Sequence, residues 1–70
     1  MSATHRHLLK MANDIAANTR SGKSEEEAAE AIASHMRRFW TPQMREQFRS
    51  LCAERHVDLA NDVLQAADRL

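Results

Sequence analysis

His35-Met36-Arg37-Arg38-Phe39-Trp40-Thr41-Pro42-Gln43-Met44-Arg45 decides how this chain folds, because a helix must end and another begin inside it. Pro42 disfavours helical geometry at Thr41, where the proline ring crowds the preceding residue. Thr41-Pro42 is also a helix start. The threonine hydroxyl can accept from free backbone N–H groups, and proline at the first helical position gives up no hydrogen bond. The chain therefore breaks at Thr41 and changes direction.

Working back from the break, Ala28, Ala29, Ile32, Ala33, Met36, Phe39 and Trp40 recur at helical spacing and predict one apolar face. Ser24 and Glu27 open this helix with the pattern of a reciprocal capping box. Three glutamates, Glu25 to Glu27, suit the positive end of the helix dipole. Small residues early and large ones late make a tapered surface, on which a neighbouring helix should approach most closely at the alanine end. Before it, Ser21-Gly22 ends a first helix over residues 5–20, since glycine readily takes the left-handed conformation at a C-terminus. Leu8, Met11, Ala12, Ile15, Ala16 and Thr19 share its inner face, while Lys10, Asp14 and Ala17 point away.

Beyond the break, Met44, Phe48, Leu51 and Cys52 stripe a third helix that fades near Arg55-His56. Asp58 or Asn61 is placed to cap a last helix carrying Leu59, Val63, Leu64, Ala67 and Leu70. With one glycine, one proline and no tyrosine, there is little material for strands or hairpins. The expected fold is all-α: a single domain, residues 1–70, forming a small bundle of three to four short helices whose third is initiated by Pro42.

Size and composition limit the function. A chain of 70 residues buries only about 60% of the surface it exposes when unfolded, and is correspondingly marginal. Cys52 is the one cysteine, which excludes an intramolecular disulfide and a thiolate-rich zinc site. An unpaired thiol fits a reducing compartment. Only Leu8 and Leu9 follow the first basic residues, which is no signal peptide, and no stretch approaches the ~18 apolar residues of a membrane span. A cytoplasmic chain without membrane attachment is expected.

The formal net charge is zero, which argues against bulk attraction to nucleic acid or anionic lipid. Positive charge is mostly arginine, suited to fixed ion pairs and protein interfaces. His5, His7, His35 and His56 form no HxxxH or HExxH pair and read as surface or boundary residues, with His35 beside the Phe39 edge of the stripe. Cys52 lies within an apolar stripe and reads as an inert buried thiol. The glutamate block is a dipole-matched first turn rather than a catalytic pair. Phosphate loop, dinucleotide fingerprint and nucleophile elbow are all missing, and no catalytic, cofactor-binding or metal-binding residue is expected. The candidate functional residues are those of a partner-binding surface: His35, Arg37, Arg38, Phe39, Trp40, Pro42, Met44 and Arg45. Tryptophan, methionine and arginine are the residue types that concentrate in interfaces. From another functional class, a small helical nucleic-acid-binding regulator is the alternative, since helices joined by a short turn beside arginines have some likeness to a helix-turn-helix.

The same eleven residues, 35–45, resemble the signature H-x-R-R-F-W-x-P-x-M-R of the delta subunit of the cytoplasmic NAD-dependent, molybdenum-containing formate dehydrogenases. Met11-Ala12-Asn13-Asp14-Ile15 resembles the family's second motif, M-A/V-N-x-I. Leu59-Ala60-Asn61 departs from it, standing where the family tends to carry proline after Leu-Ser. The resemblance implies a non-catalytic accessory subunit, docking on the large molybdenum-bearing subunit and supporting assembly, cofactor insertion or stability. It places molybdenum–pterin, iron–sulfur clusters and FMN in other subunits and none in this chain.

Small size with no staple generates the first prediction. The isolated chain should show a helical circular dichroism spectrum and melt well below ~90 °C, the threshold of hyperstability. A proven monomer melting above that temperature would mean that its core suffices without a partner.

Overall fold

The computed structural model describes residues 3–54 and 59–70, with side chains described for 6–53 and 59–70. Four helices follow one another: α1 (Ala3–Thr19), α2 (Glu25–Phe39), α3 (Pro42–Glu54) and α4 (Asn61–Asp68), with no strand among the described residues. The all-α fold and its Pro42-initiated third helix are as the sequence predicts.

Each boundary has a local cause. Thr19 and Asn18 side chains donate back to the Ile15 and Asp14 carbonyls in the last turn of α1, at 2.8 and 2.9 Å. Gly22 then takes a φ of +73°, the left-handed conformation that a side chain disfavours. Ser24 caps α2 through its hydroxyl, which accepts from the Glu27 N–H at 3.1 Å, while the Ser24 N–H donates to the Glu27 carboxylate at 2.9 Å. That backbone donor, then the serine hydroxyl, hold the Glu27 carboxyl below the usual carboxylate range. The charged form thus supports the fold at neutral pH, and its contribution is lost as pH falls through the lowered value.

Trp40 terminates α2. Its N–H still donates to the Met36 carbonyl at 2.8 Å, but its own backbone is extended, with φ −89° and ψ 146°. Thr41 caps α3, its hydroxyl accepting from the Met44 N–H at 3.1 Å. The start of α4 differs from expectation. Ala60 occupies the N-cap with no side-chain hydrogen bond, and Asn61 is already the first helical residue. Asp58, the other expected cap, lies outside the described residues.

The four helices share one core. Leu8, Ala12 and Ala16 from α1, Ile32, Ala33 and Met36 from α2, Phe48 from α3, and Val63, Ala66 and Ala67 from α4 meet around Trp40. The most extensive helix pairing is α2 with α4. Small residues permit it: Ala28, Ala29 and Ala33 on α2 and Ala66 and Ala67 on α4 are all buried. Polar groups fasten its edges. Gln65 donates to Glu25, and Glu30 accepts from Arg69 at 3.2 Å.

One polar contact reaches the interior. Arg20, just past α1, donates through Nε and Nη2 to both carboxylate oxygens of Asp62 at 3.0 Å each, tying the end of α1 to the start of α4. Asp62 is almost wholly buried, whereas Arg20 keeps nearly half its side chain in water. The acid sits in the first turn of α4, where the helix dipole also favours it. With no side-chain cap, this pair does the work of fixing the α4 N-terminus.

Asp62→Ala should therefore destabilise the chain by about 1–3 kcal/mol, the range for losing hydrogen bonds to a charged group. The exposed α1 pair Lys10–Asp14 (2.9 Å) supplies the contrast, since Asp14→Ala should cost about 0.3–0.5 kcal/mol. Urea melts of both variants measure the difference. Equal losses would show that the buried pair contributes no more than a surface one.

Candidate partner-binding surface

The turn at Thr41 sorts the predicted surface residues into an inner and an outer group. Trp40 goes inward: it is 6% exposed and meets Phe48 edge-on, the ring centroids 5.6 Å apart at 85°. Edge-to-face geometry suits the opposed charge on ring edge and ring face. Met44 is half-buried against the same core.

Phe39 corrects the helical-stripe expectation. Periodicity places it beside Ile32 and Met36, yet it is 67% exposed. The extended backbone at Trp40 carries the larger indole into the core at this end of α2, so the last helical residue is left outside. There the Phe39 ring packs tilted, at 41°, against His35 one turn back, centroids 4.8 Å apart, and the Arg38 guanidinium lies 5.7 Å from its centroid. His35, Arg38 and Phe39 form one outward edge. Pro42, at the start of α3, is also exposed.

Arg37 points to a different neighbour. It donates to Glu30 at 2.8 Å and to the Arg69 carbonyl at 3.0 Å. The first bond, then that from Arg69, hold the Glu30 carboxyl below its ordinary range. The second satisfies a carbonyl at the C-terminal end of α4, where a cation also suits the dipole. Arg37 is thus occupied in clamping α2 to α4. Neither partner was read from the sequence: Glu30 lies seven residues earlier, beyond the three or four at which helix side chains usually pair, and Arg69 carries no sequence signal.

Arg45 is half-buried, and its Nε has no hydrogen-bond partner. The eight candidate residues therefore divide. Arg38 and Phe39 come together outside with His35, itself partly buried, beside them. Pro42 is exposed on the next helix, Trp40 and Met44 serve the core, Arg37 braces α4, and Arg45 is half-covered.

Cys52 lines an open groove of about 460 Å³ between α3 and α4, with Arg49, Leu64 and Asp68 nearby. Burial first, then the negative charge of Asp68, push the thiol up to about 11, which suppresses the thiolate that reactive cysteines require. Among the described residues, no group of three or more His, Cys, Asp or Glu is placed to hold a metal ion. His5 and His56 have side chains outside the described residues. No helix among the described residues is long and apolar enough to cross a membrane. Arg20, Arg37, Arg49 and Arg69 are each engaged in ion pairs within the chain.

Fold and surface together define a small helical protein that spends its tryptophan internally and turns an aromatic, cationic edge outward. Residues 7–67 match the family model described as NADH-dependant formate dehydrogenase delta subunit FdsD. The chain belongs to that family, as the two motifs led us to expect, and a subunit of such a complex implies a partner enzyme subunit. No curated protein and no solved structure matches.

Adjacent aromatics with opposite placement should respond oppositely to truncation. Trp40→Ala should cost about 3–5 kcal/mol of stability, as for a large buried aromatic. Phe39→Ala should stay within about 0.5 kcal/mol, as for a surface site. Urea denaturation of the isolated chain measures both, and a Phe39→Ala loss approaching that of Trp40→Ala would contradict the outward placement.

Proposed function

We propose that this chain is a non-catalytic accessory subunit of a cytoplasmic, NAD-dependent molybdenum formate dehydrogenase, and that it docks on the large molybdenum-bearing subunit. There it supports assembly, cofactor insertion or stability of the complex. The molybdenum–pterin centre, iron–sulfur clusters and FMN belong to other subunits, and this chain carries none. Supporting the proposal is the outward edge of His35, Arg38 and Phe39 on a chain of the delta-subunit family. A ring at two-thirds exposure offers apolar area whose burial on a partner surface is favourable.

Docking proceeds without remodelling the chain, because the residues that hold the fold are distinct from those that face outward. Trp40, Phe48 and the Arg37 clamp remain in place while the outer edge is covered. A host lacking the chain should lose formate-dependent NAD reduction in extracts and recover it when the wild-type chain is supplied in trans. Affinity purification of the tagged chain should bring down the large subunit. Unchanged activity in the deletion strain, with no co-purified subunit, would refute the proposal.

A further inference from the structure

The outward edge is chemically one-sided. Residues 31–45 contain no aspartate or glutamate, and the acids that flank them are already engaged. Glu30 holds Arg37 and Arg69, and Glu46 holds Arg49 at 3.2 Å. Among the described residues Arg38 has no carboxylate partner; its neighbour is the Phe39 ring. Lys10, Arg20, Arg37, Arg49 and Arg69 each have a carboxylate within reach. Arg6, Lys23 and Arg45 share the lack of one among the described residues, but Arg38 alone of these lies against an exposed aromatic ring. A cation left without an acid sits beside the one large hydrophobic side chain exposed among the described residues.

We propose that Arg38 and Phe39 act as a two-pronged plug, the ring entering an apolar pocket of the partner subunit and the guanidinium pairing with a carboxylate on that pocket's rim. This rests on the docking function above. The chemistry favours that occupant over a second copy of this chain. Self-apposition of the edge brings Arg38 against Arg38, with no free acid beside it among the described residues. The acidic first turn of α2 lies about 20 Å away along the helix, at 1.5 Å per residue. Engaging that turn in a second copy would require α2 to pair antiparallel along its length, and at its far end Glu27 is already held in the Ser24 capping box. The ring and the cation reinforce each other. A guanidinium already resting on an aromatic face is partly pre-positioned, and its attraction to a carboxylate strengthens when the ring's insertion excludes water.

The test is competition binding of the full-length chain to the formate dehydrogenase complex purified from a host lacking it. The variants are Arg38→Glu, Arg38→Lys and Phe39→Ala, with Lys23→Glu as an equal charge change at an exposed site elsewhere. Arg38→Glu and Phe39→Ala should each weaken binding by about 30-fold or more, the fold-change of losing a desolvated charge contact. Arg38→Lys should lose less, and Lys23→Glu nothing. Phe39→Ala and Arg38→Lys should melt like wild type, while Arg38→Glu and Lys23→Glu, which place a negative charge in the last turn of α2 and beside Glu27, should melt only slightly lower. Wild-type binding by Arg38→Glu and Phe39→Ala would overturn the plug while leaving the accessory function intact. Failure of the wild-type chain itself to bind would overturn that function. Binding losses matched by equal melting losses would also overturn the plug, as would a dimer of the isolated chain that Phe39→Ala dissolves in sedimentation.

Discussion

Pro42 constrains the backbone one residue before itself, and the consequences spread through the chain. A continuous helix through Thr41 would place Phe39 and Trp40 about 100° apart on one cylinder, both bordering the same stripe. The break instead gives Trp40 an extended backbone. The indole then swings under the corner to meet Phe48, and the core acquires its largest side chain at the junction of α2 and α3. Phe39, still helical, is left exposed at the end of α2. The same proline thus sets the direction of α3, closes the core and creates the outer edge. That edge is a by-product of folding geometry, not a separate structural addition.

The sequence made most of this architecture legible because its punctuation is local. Gly22, the Ser24–Glu27 box and Thr41-Pro42 act within a turn of themselves, and each appears in the structure where its chemistry predicts. Helix faces were also legible: Ala28, Ala29, Ile32, Ala33 and Met36 are all buried. The failures occur where the outcome depends on distant residues. Periodicity could not tell that Trp40 would take the inner place from Phe39, since that depends on where Phe48 arrives. The start of α4 offered Asp58 and Asn61 as caps by composition. Asp62, which instead fastens that region, depends on Arg20 some forty residues away. Among the candidate surface residues, type alone does not separate Arg37 from Arg38, but helix geometry does, since it places Arg38 on the flank of His35. Adjacent positions on a helix diverge in direction, and the neighbour waiting on Arg37's side is α4.

This division of labour separates the groups that hold the fold from those that face outward. Two ion pairs tie helix to helix: Arg20 joins the end of α1 to α4, and Arg69 reaches Glu30 on α2, which Arg37 shares. Exposed pairs of this kind contribute little singly, but a network sharing one acceptor limits the freedom of each member. Raising the Cys52 thiol works in the same direction, because a protonated, half-covered sulfur resists oxidation in a chain that has no second cysteine to pair with.

The burial of Trp40 has an optical consequence. With a single tryptophan and no tyrosine in the chain, light absorbed near the red edge of the protein band excites one indole alone. That indole sits at the corner between α2 and α3, so its emission reports the local polarity of the corner. Far-ultraviolet dichroism, by contrast, averages over all the helices. Following both during denaturation compares one junction with the whole bundle, and their coincidence is the standard requirement for all-or-none unfolding. The chain carries its own site-specific dye, installed where the two halves of its fold are hinged together.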